Sequence, residues 1–421
     1  PLSDDQVIPL RNKFEKCKVL LIDETSMIDS IFLWKIHVRL QQIKDNNTMP
    51  FGGMVILLVG DFFQLPPVTG NPFYVSAMGD IPDKYVGTTY EFGLDLLKQF
   101  KIITFGHQYR SEDDQHTARI NQMRDMTIDN NPIDQNLIDS FQILSSEDVK
   151  SDPSWLAAPV VVASNAERHA LNVTQAKRYA MANGVPVLRW KKKLLMADDL
   201  GDPLCDIIYD NEPSLTGLFV EGAPAILNNN LNATDGLANG TPLILHSVLL
   251  PEDEDSVRYR EMISNAQPGT IIDIPVPHAV IASVPSIDNA KWTSKHKSLI
   301  EGQVVIPFVN KRHLGDTVTL SKDQTLTYKS HGIDLAFAIT FHKIQGQTKE
   351  KVILDLNQRP GRLSHVDYHG LYVGWSRVKH AANIRVLPCQ NDDNFEHLLQ
   401  LKPNTDLKQW LNTIPHLQPT L

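Results

Sequence analysis

Two apolar runs in the sequence each end in residues that can do chemistry. Val-Leu-Leu-Ile at 19–22 leads into Asp23 and Glu24, and Met-Val-Ile-Leu-Leu-Val-Gly at 54–60 leads into Asp61, Phe62, Phe63 and Gln64. An aspartate just past a strand can hold the water shell of Mg2+, a hard cation that takes oxygen ligands and pairs with phosphates. A neighbouring glutamate can polarise a water for attack on a γ-phosphate. Glutamine, a neutral donor and acceptor, can sense that phosphate or that water without adding charge. Pro66 and Pro67 fix φ at two successive positions and restrict Leu65, so Gln64 is presented from a stiff loop. Asp-Glu after four apolar residues could equally be acids solvating a strand end. It is the second loop, one crossover later, that gives the pair weight.

These loops need a frame that brings them to one edge. The run Lys18–Asp23 reads as a strand buried on both faces of a parallel sheet. In the stretch 31–44, Phe32, Ile36, Leu40 and Ile43 recur at helical spacing, with Lys35, Arg39 and Gln42 elsewhere, which predicts an amphipathic helix. Met54–Gly60 reads as a second buried strand. Strand, helix, strand is a crossover unit, and ligands of open parallel sheets bind beyond the carboxyl ends of the strands. Asp61 and Gln64 are therefore expected near Asp23 and Glu24.

Further along, residues 125–159 are polar and weakly patterned, and a domain boundary is placed there. A strand at 159–164 is followed by a helix capped by Ser164 or Asn165 and stopped by Gly184. From 222 to 328, short β-type runs alternate with Gly, Pro, Asn and Asp, the pattern of a small β-rich module. Within it, 251–255 reads as a solvated acidic loop. Strand and helix patterning resumes after 330. The run Gly370–Trp375 is expected to be a strand, with Arg377 just past its end.

Composition sets the bounds. The 421 residues are enough for two or three domains. No apolar run reaches the roughly 18 residues of a membrane span, so no membrane partner is expected. Cys17, Cys205 and Cys389 lie far apart and form no C-x-x-C, so neither a disulfide framework nor a zinc knuckle is indicated and a reducing intracellular compartment is the default. The net charge of −9 argues against a uniformly basic nucleic-acid coat. It leaves room for a local basic groove. Between His331 and His380 the cations Lys343, Lys349, Lys351, Arg359, Arg362, Arg377 and Lys379 face the anions Asp334, Glu350, Asp355 and Asp367, a local charge of +3. That is a modest phosphate-binding footprint.

Taken together, "VLLIDETSMID" and "GDFFQLPPV" resemble motifs II and III of the Pif1-like group of superfamily 1 (1B) helicases. "FGHQYRSEDD" resembles motif IV, "GAPAILNNNLNATDGLANGT" the stretch that opens the family's β insertion, "AFAITFHKIQGQT" motif V and "YVGWSRV" motif VI. The resemblance runs from Lys18 to about Leu387. It implies an α/β fold of two RecA-like (P-loop NTPase) parallel-sheet domains, the first incomplete and the second interrupted by a β-rich, SH3-like insertion. The expected divisions are 1–150, then 151–221 with 329–421, with 222–328 as the insertion. It implies an ATP-dependent, 5′-to-3′ motor on single-stranded DNA and duplex junctions, intracellular and nuclear, serving repair, recombination or telomere maintenance.

Residue by residue, the resemblance implies that Asp23 binds Mg2+ through water and that Glu24, Gln64, Arg110 and Arg377 act on ATP. Arg377 serves as an arginine finger. Gly346 and Gln347 are assigned to the nucleotide, and His342, Lys343 and Thr348 to DNA. The chain departs from the family pattern in three places. It contains no G-x-x-x-x-G-K-[ST] and no Gly-Lys pair, so the cradle that holds the β- and γ-phosphates is missing from these residues. Since Pro1 is not an initiator methionine, a truncated start is the expected explanation, and weak ATP binding by this chain alone is expected. Ser111 stands where the family usually has Gln, and Trp375 makes motif VI an uncommon version, read as packing. A different class of protein, a catalytically silent mobile-element remnant that binds DNA, is the alternative. The retention of Asp23, Glu24, Gln64, Arg110 and Arg377 argues against it.

Overall fold

The computed structural model describes residues 2–125, 131–195, 202–252, 254–285, 302–308, 316–321, 324–329, 331–358, 365–390 and 394–415. The chain forms two compact units, one made of Pro1–Leu144 with Ile344–Leu421 and the other of Ser145–Lys343.

In the first unit, strands Val19–Ile22 and Val55–Leu58 pair in parallel, with Val19 opposite Val55 and Ile22 opposite Leu58. The helix between them spans Ser30–Lys44 and starts where the Asp29 carboxylate accepts from the Phe32 amide at 2.7 Å. Its buried face is Leu33, His37, Leu40 and Ile43, one step round from the expected stripe, and Phe32 is exposed. The polar type of His37 hid this face. Its Nδ1 accepts from the Phe51 amide at 3.0 Å, which lets the ring be buried. The strands also depart from expectation. Val19, Leu21, Val55 and Leu57 are exposed, so the two-stranded sheet is not buried on both faces. An apolar run does not say how many of its faces are covered.

The carboxy-terminal part of this unit pairs Val352–Leu354 in parallel with Ile384–Val386. Between them, Tyr368–Trp375 is a helix and not the expected strand. All eight of its residues are buried, and the Asp367 carboxylate accepts from the Gly370 amide at 2.7 Å. A segment buried all round shows no period, and a short apolar run cannot be told from a strand by pattern. Trp375 packs 4.9 Å from Phe141, the packing role expected of it. Helix Asp114–Arg124 begins at Asp113, whose carboxylate accepts from the His116 amide, and Ser111 Oγ donates to the Asp113 carbonyl.

In the second unit, Val160–Val162 pairs in parallel with Ala338–Thr340. The following helix, Asn165–Asn183, opens on a capping box of Ser164 and Glu167 and closes at Gly184 with φ 74°. An antiparallel sheet takes the order 303–307, 279–283, 242–249, 224–227, 333–335. A three-stranded sheet centres on Val187–Lys191, and the two sheets share a core that includes Trp190, Leu227, Leu245, Val280 and Ile306. The stretch read as an acidic loop instead leads into helix Glu254–Ser264, with Asp253 outside the described residues. Arg359 and Arg362, counted in the basic window, also lie outside them.

Candidate nucleotide-hydrolysis site

The first strand hands over to Asp23 and Glu24 through an unusual turn. Glu24 sits at φ 53°, ψ 44°, in the left-handed region that a residue with a side chain seldom adopts. Such outliers cost on the order of 1 kcal/mol and gather where surrounding structure enforces them. Here the Asp23 carboxylate accepts from the Glu24 amide at 2.8 Å. Thr25 donates twice to the Val59 carbonyl, from its amide at 3.1 Å and its hydroxyl at 2.7 Å. Gly60 explains how the two strand ends come so close: a Cβ there would lie 2.7 Å from the Thr25 amide nitrogen.

The loop after the second strand is held by side chains more than by its prolines. One Asp61 oxygen accepts from the Phe63 amide at 3.1 Å. The other accepts from the Tyr372 hydroxyl at 2.7 Å and lies 3.5 Å from Arg124. His369 Nδ1 donates to the Phe63 carbonyl at 2.9 Å, and the Arg124 guanidinium lies 5.1 Å from the centre of the Phe63 ring. Burial, reinforced by Asp61, raises the Tyr372 pKa well above its ordinary value, so the hydroxyl stays a donor. Asp61 is thus an anchor, and Gln64 is held by its amide on the Asp61 carbonyl at 2.9 Å. The Gln64 Oε1 is buried with no hydrogen-bond partner in the protein.

Arg377 follows the buried helix and is 1% exposed. Its Nε donates to the Val373 carbonyl at 2.8 Å and one terminal nitrogen to Ser376 Oγ at 2.6 Å, while the other terminal nitrogen has no partner. Burial first and the Arg110 charge second lower its pKa to about 10, against the pull of Glu24. Even so, the guanidinium is charged at neutral pH. Arg110 donates from Nε to Thr348 Oγ1 at 3.0 Å and from a terminal nitrogen to the Ser376 carbonyl at 3.4 Å. Thr348, assigned above to DNA, therefore meets the same arginine as the motif VI backbone. The Lys349 amide donates to the Arg377 carbonyl at 2.8 Å, tying the two loops together.

Two residues beside this cluster were not singled out from sequence. Gln345 donates from Nε2 to Glu24 Oε2 at 2.7 Å, and Tyr372 holds Asp61 as described. The signal for Gln345 was its place beside Gly346, which has φ 75° and whose Cβ, if it had one, would lie 3.0 Å from Glu24 Oε1. The Gln347 amide donates to the Ile344 carbonyl at 3.1 Å and closes the turn. Lys343, the last residue of the second unit, donates from Nζ to Asn239 at 2.7 Å and to Asn228 at 3.2 Å, and His342 beside it is exposed. Burial lowers the Lys343 pKa, opposed by Asp334.

The first unit therefore gathers Glu24, Gln345, Gly346, Arg377, Arg110 and Thr348 through direct contacts or charge, with Gln64 in the loop that follows the adjoining strand. A buried guanidinium with an unpartnered donor and a buried amide with an unpartnered acceptor fit a phosphate and its water. For Mg2+, the exposed Asp23 carboxylate fits an ion held through water and phosphate oxygens. Among the described residues there is no group of three or more His, Cys, Asp or Glu that could form a protein-only metal cage. Nor is any helix among them long and apolar enough to cross a membrane.

The parallel strand pairs and their flanking helices make an α/β fold of the RecA-like kind. Residues 5–131 match the family model described as PIF1-like helicase. The chain is 24% identical over 439 aligned positions to the ATP-dependent DNA helicase PIF1 of Candida albicans, covering 89% of this chain and 44% of that protein. It is 24% identical over 406 positions to the ATP-dependent DNA helicase Pif1 of Psychrobacter sp., covering 90% of this chain and 54% of that protein. Among solved structures, Bacteroides Pif1 helicase in complex with ADP-AlF3 and ssDNA superimposes with a TM-score of 0.58 at 20% identity, covering 98% of this chain and 78% of the other. The match to the PIF1-like helicase model thus covers residues 5–131, the similarity to the Pif1 helicases runs over most of the chain, and the chain spans about half the length of the two curated relatives described.

Proposed function

We propose that this chain is the working core of an ATP-driven 5′-to-3′ motor on single-stranded DNA that unwinds duplex junctions. The observation that carries the reading is the Arg377 guanidinium, fully buried, charged and one donor short, in the same cluster as Glu24. A stable core has little reason to bury such a group unless a ligand supplies the missing acceptor.

In this mechanism Gln64 and Glu24 orient a water on the γ-phosphorus of ATP. The water oxygen forms the new bond to phosphorus, the bond to the β-phosphate oxygen breaks, and its electron pair leaves with ADP. Glu24 takes the proton from the water. Arg377, steadied by Ser376 and Val373, stabilises the charge on the transferring phosphoryl group, with Arg110 in support. Mg2+, held through water by Asp23, would neutralise phosphate charge. Gly346 and Gln347 flank the nucleotide, while His342, Lys343 and Thr348 contact DNA phosphates. The β-rich 222–328 segment is an SH3-like insertion between two halves of the second RecA-like domain. Nuclear residence and service in repair, recombination or telomere maintenance complete the proposal.

The test is DNA-stimulated ATP hydrolysis by the full-length protein, with unwinding of duplexes carrying a 5′ or a 3′ tail. Unwinding of the 5′-tailed duplex alone supports the reading. Unwinding of the 3′-tailed duplex alone overturns the polarity, and no DNA-stimulated hydrolysis overturns the motor. Because residues 1–421 hold no glycine-rich Gly-Lys loop, this chain by itself should bind ATP weakly and turn it over poorly.

A further inference from the structure

Gln345 is 9% exposed, and its amide is fixed by what surrounds it. A carboxylate only accepts, so the nitrogen 2.7 Å from Glu24 Oε2 must be the donor. The same nitrogen lies 3.4 Å from Ser26 Oγ, a residue that is itself buried. This orientation leaves Gln345 Oε1 buried with no protein partner. A buried acceptor left so costs about 1–3 kcal/mol, and nothing in the fold requires the cost, since an apolar side chain would fit a merely structural position. The next residue completes the pattern. Gly346 has no Cβ, and one there would approach Glu24 Oε1 to 3.0 Å. One oxygen of the glutamate is tethered and the other is left open.

We infer that Gln345 is the positioning residue for Glu24 in the hydrolysis proposed above. It holds Oε2, so that Oε1 faces the attacking water and takes its proton, and its own Oε1 accepts the water's second O–H. The role rests on the proposed ATP hydrolysis, deepens it, and brings in no new co-reactant.

The experiment compares the full-length protein with Gln345→Met, close in shape but without the amide, and with Ser26→Ala, which removes the second acceptor. DNA-stimulated kcat, KM for ATP and the affinity for a fluorescent ATP analogue are measured for each, alone and combined with Glu24→Gln. Gln345→Met should lower kcat by about 10- to 100-fold, the loss of a hydrogen bond to a charged group, with KM and analogue affinity within about threefold of the parent. Ser26→Ala should lower kcat by a few-fold only. In the Glu24→Gln background, Gln345→Met should cost nothing further, because the two act as a unit. The inference is overturned if kcat survives Gln345→Met. It is also overturned if kcat and analogue affinity fall together, or if the full loss recurs without Glu24. If the unsubstituted protein shows no DNA-stimulated hydrolysis, it is the motor reading that fails, an outcome distinct from all of these.

Discussion

Both units bury an arginine, and they treat it in opposite ways. In the second unit Arg168, 9% exposed, meets Asp334 at 2.6 Å, and Asn228 adds a bond to the same carboxylate at 2.8 Å. Burial alone would raise the Asp334 pKa, but Lys192 and Arg168 outweigh it and bring it down to about 2. In the first unit Arg377 is buried more deeply, yet among the described residues no carboxylate lies within ion-pair distance of it. Arg110 helps burial to lower its pKa, and the opposing pull of Glu24 does not restore the ordinary value. A buried charge matched by a carboxylate serves the fold even with one donor left over, as at Arg168 Nε, whereas Arg377, among the described residues, has neither a carboxylate nor a partner for its last terminal nitrogen.

Three measurements sharpen that contrast. Arg377→Met should lower DNA-stimulated hydrolysis in the full-length protein by about three orders of magnitude or more, as loss of an arginine finger does. Its thermal midpoint should hold or rise, because an unmatched charge has been removed. A drop in midpoint with little loss of rate would make Arg377 a structural residue. Arg168→Met should do the reverse, destabilising the second unit by about 3 kcal/mol because Asp334 loses its nearest cation. Chemical denaturation checks it, and an unchanged midpoint would break the comparison.

The most gradual effect is on pH. His331 accepts from Trp190 at its Nδ1 and is brought to about 4 by burial and then Lys192, while His169 is brought to about 4 by burial and then Arg168. Between pH 6.5 and 4 the unfolded chain binds protons there that the folded unit refuses, so stability is full above 6.5 and falls on acidification. Asp334, depressed from 3.8, extends the loss down towards pH 2. At about 1.4 kcal/mol per pKa unit each histidine contributes at most a few kcal/mol, read from denaturation midpoints between pH 8 and 4, and the Asp334 part appears only below that range. A flat profile would contradict it.

How much of this was open to a reader of the sequence follows from where each signal resides. The first crossover, its two acid-bearing loops and the Ser164–Gly184 helix were legible, because caps and apolar runs are local. The helix Tyr368–Trp375 was not, since complete burial erases the period that would separate helix from strand. The stripe on Ser30–Lys44 was displaced because a histidine with a backbone partner took a place that only apolar residues were counted for. At the site, Glu24, Gln64 and Arg377 stood out by type and motif. Gln345 and Tyr372 did not, because their partners lie 321 and 311 positions away along the chain. In the loop that begins at Gly60, sequence alone points to the prolines as the stiffening element. The structure adds Asp61, Tyr372, His369 and Arg124 as its clamps.

The central claim is that the cluster around Glu24 hydrolyses ATP. Glu24→Gln in the full-length protein tests it most directly, because the amide keeps the shape and removes the base. The account predicts that ATP binding, followed with a fluorescent analogue, persists while DNA-stimulated hydrolysis falls to a small residual rate. Hydrolysis near the parent rate after the substitution would contradict it.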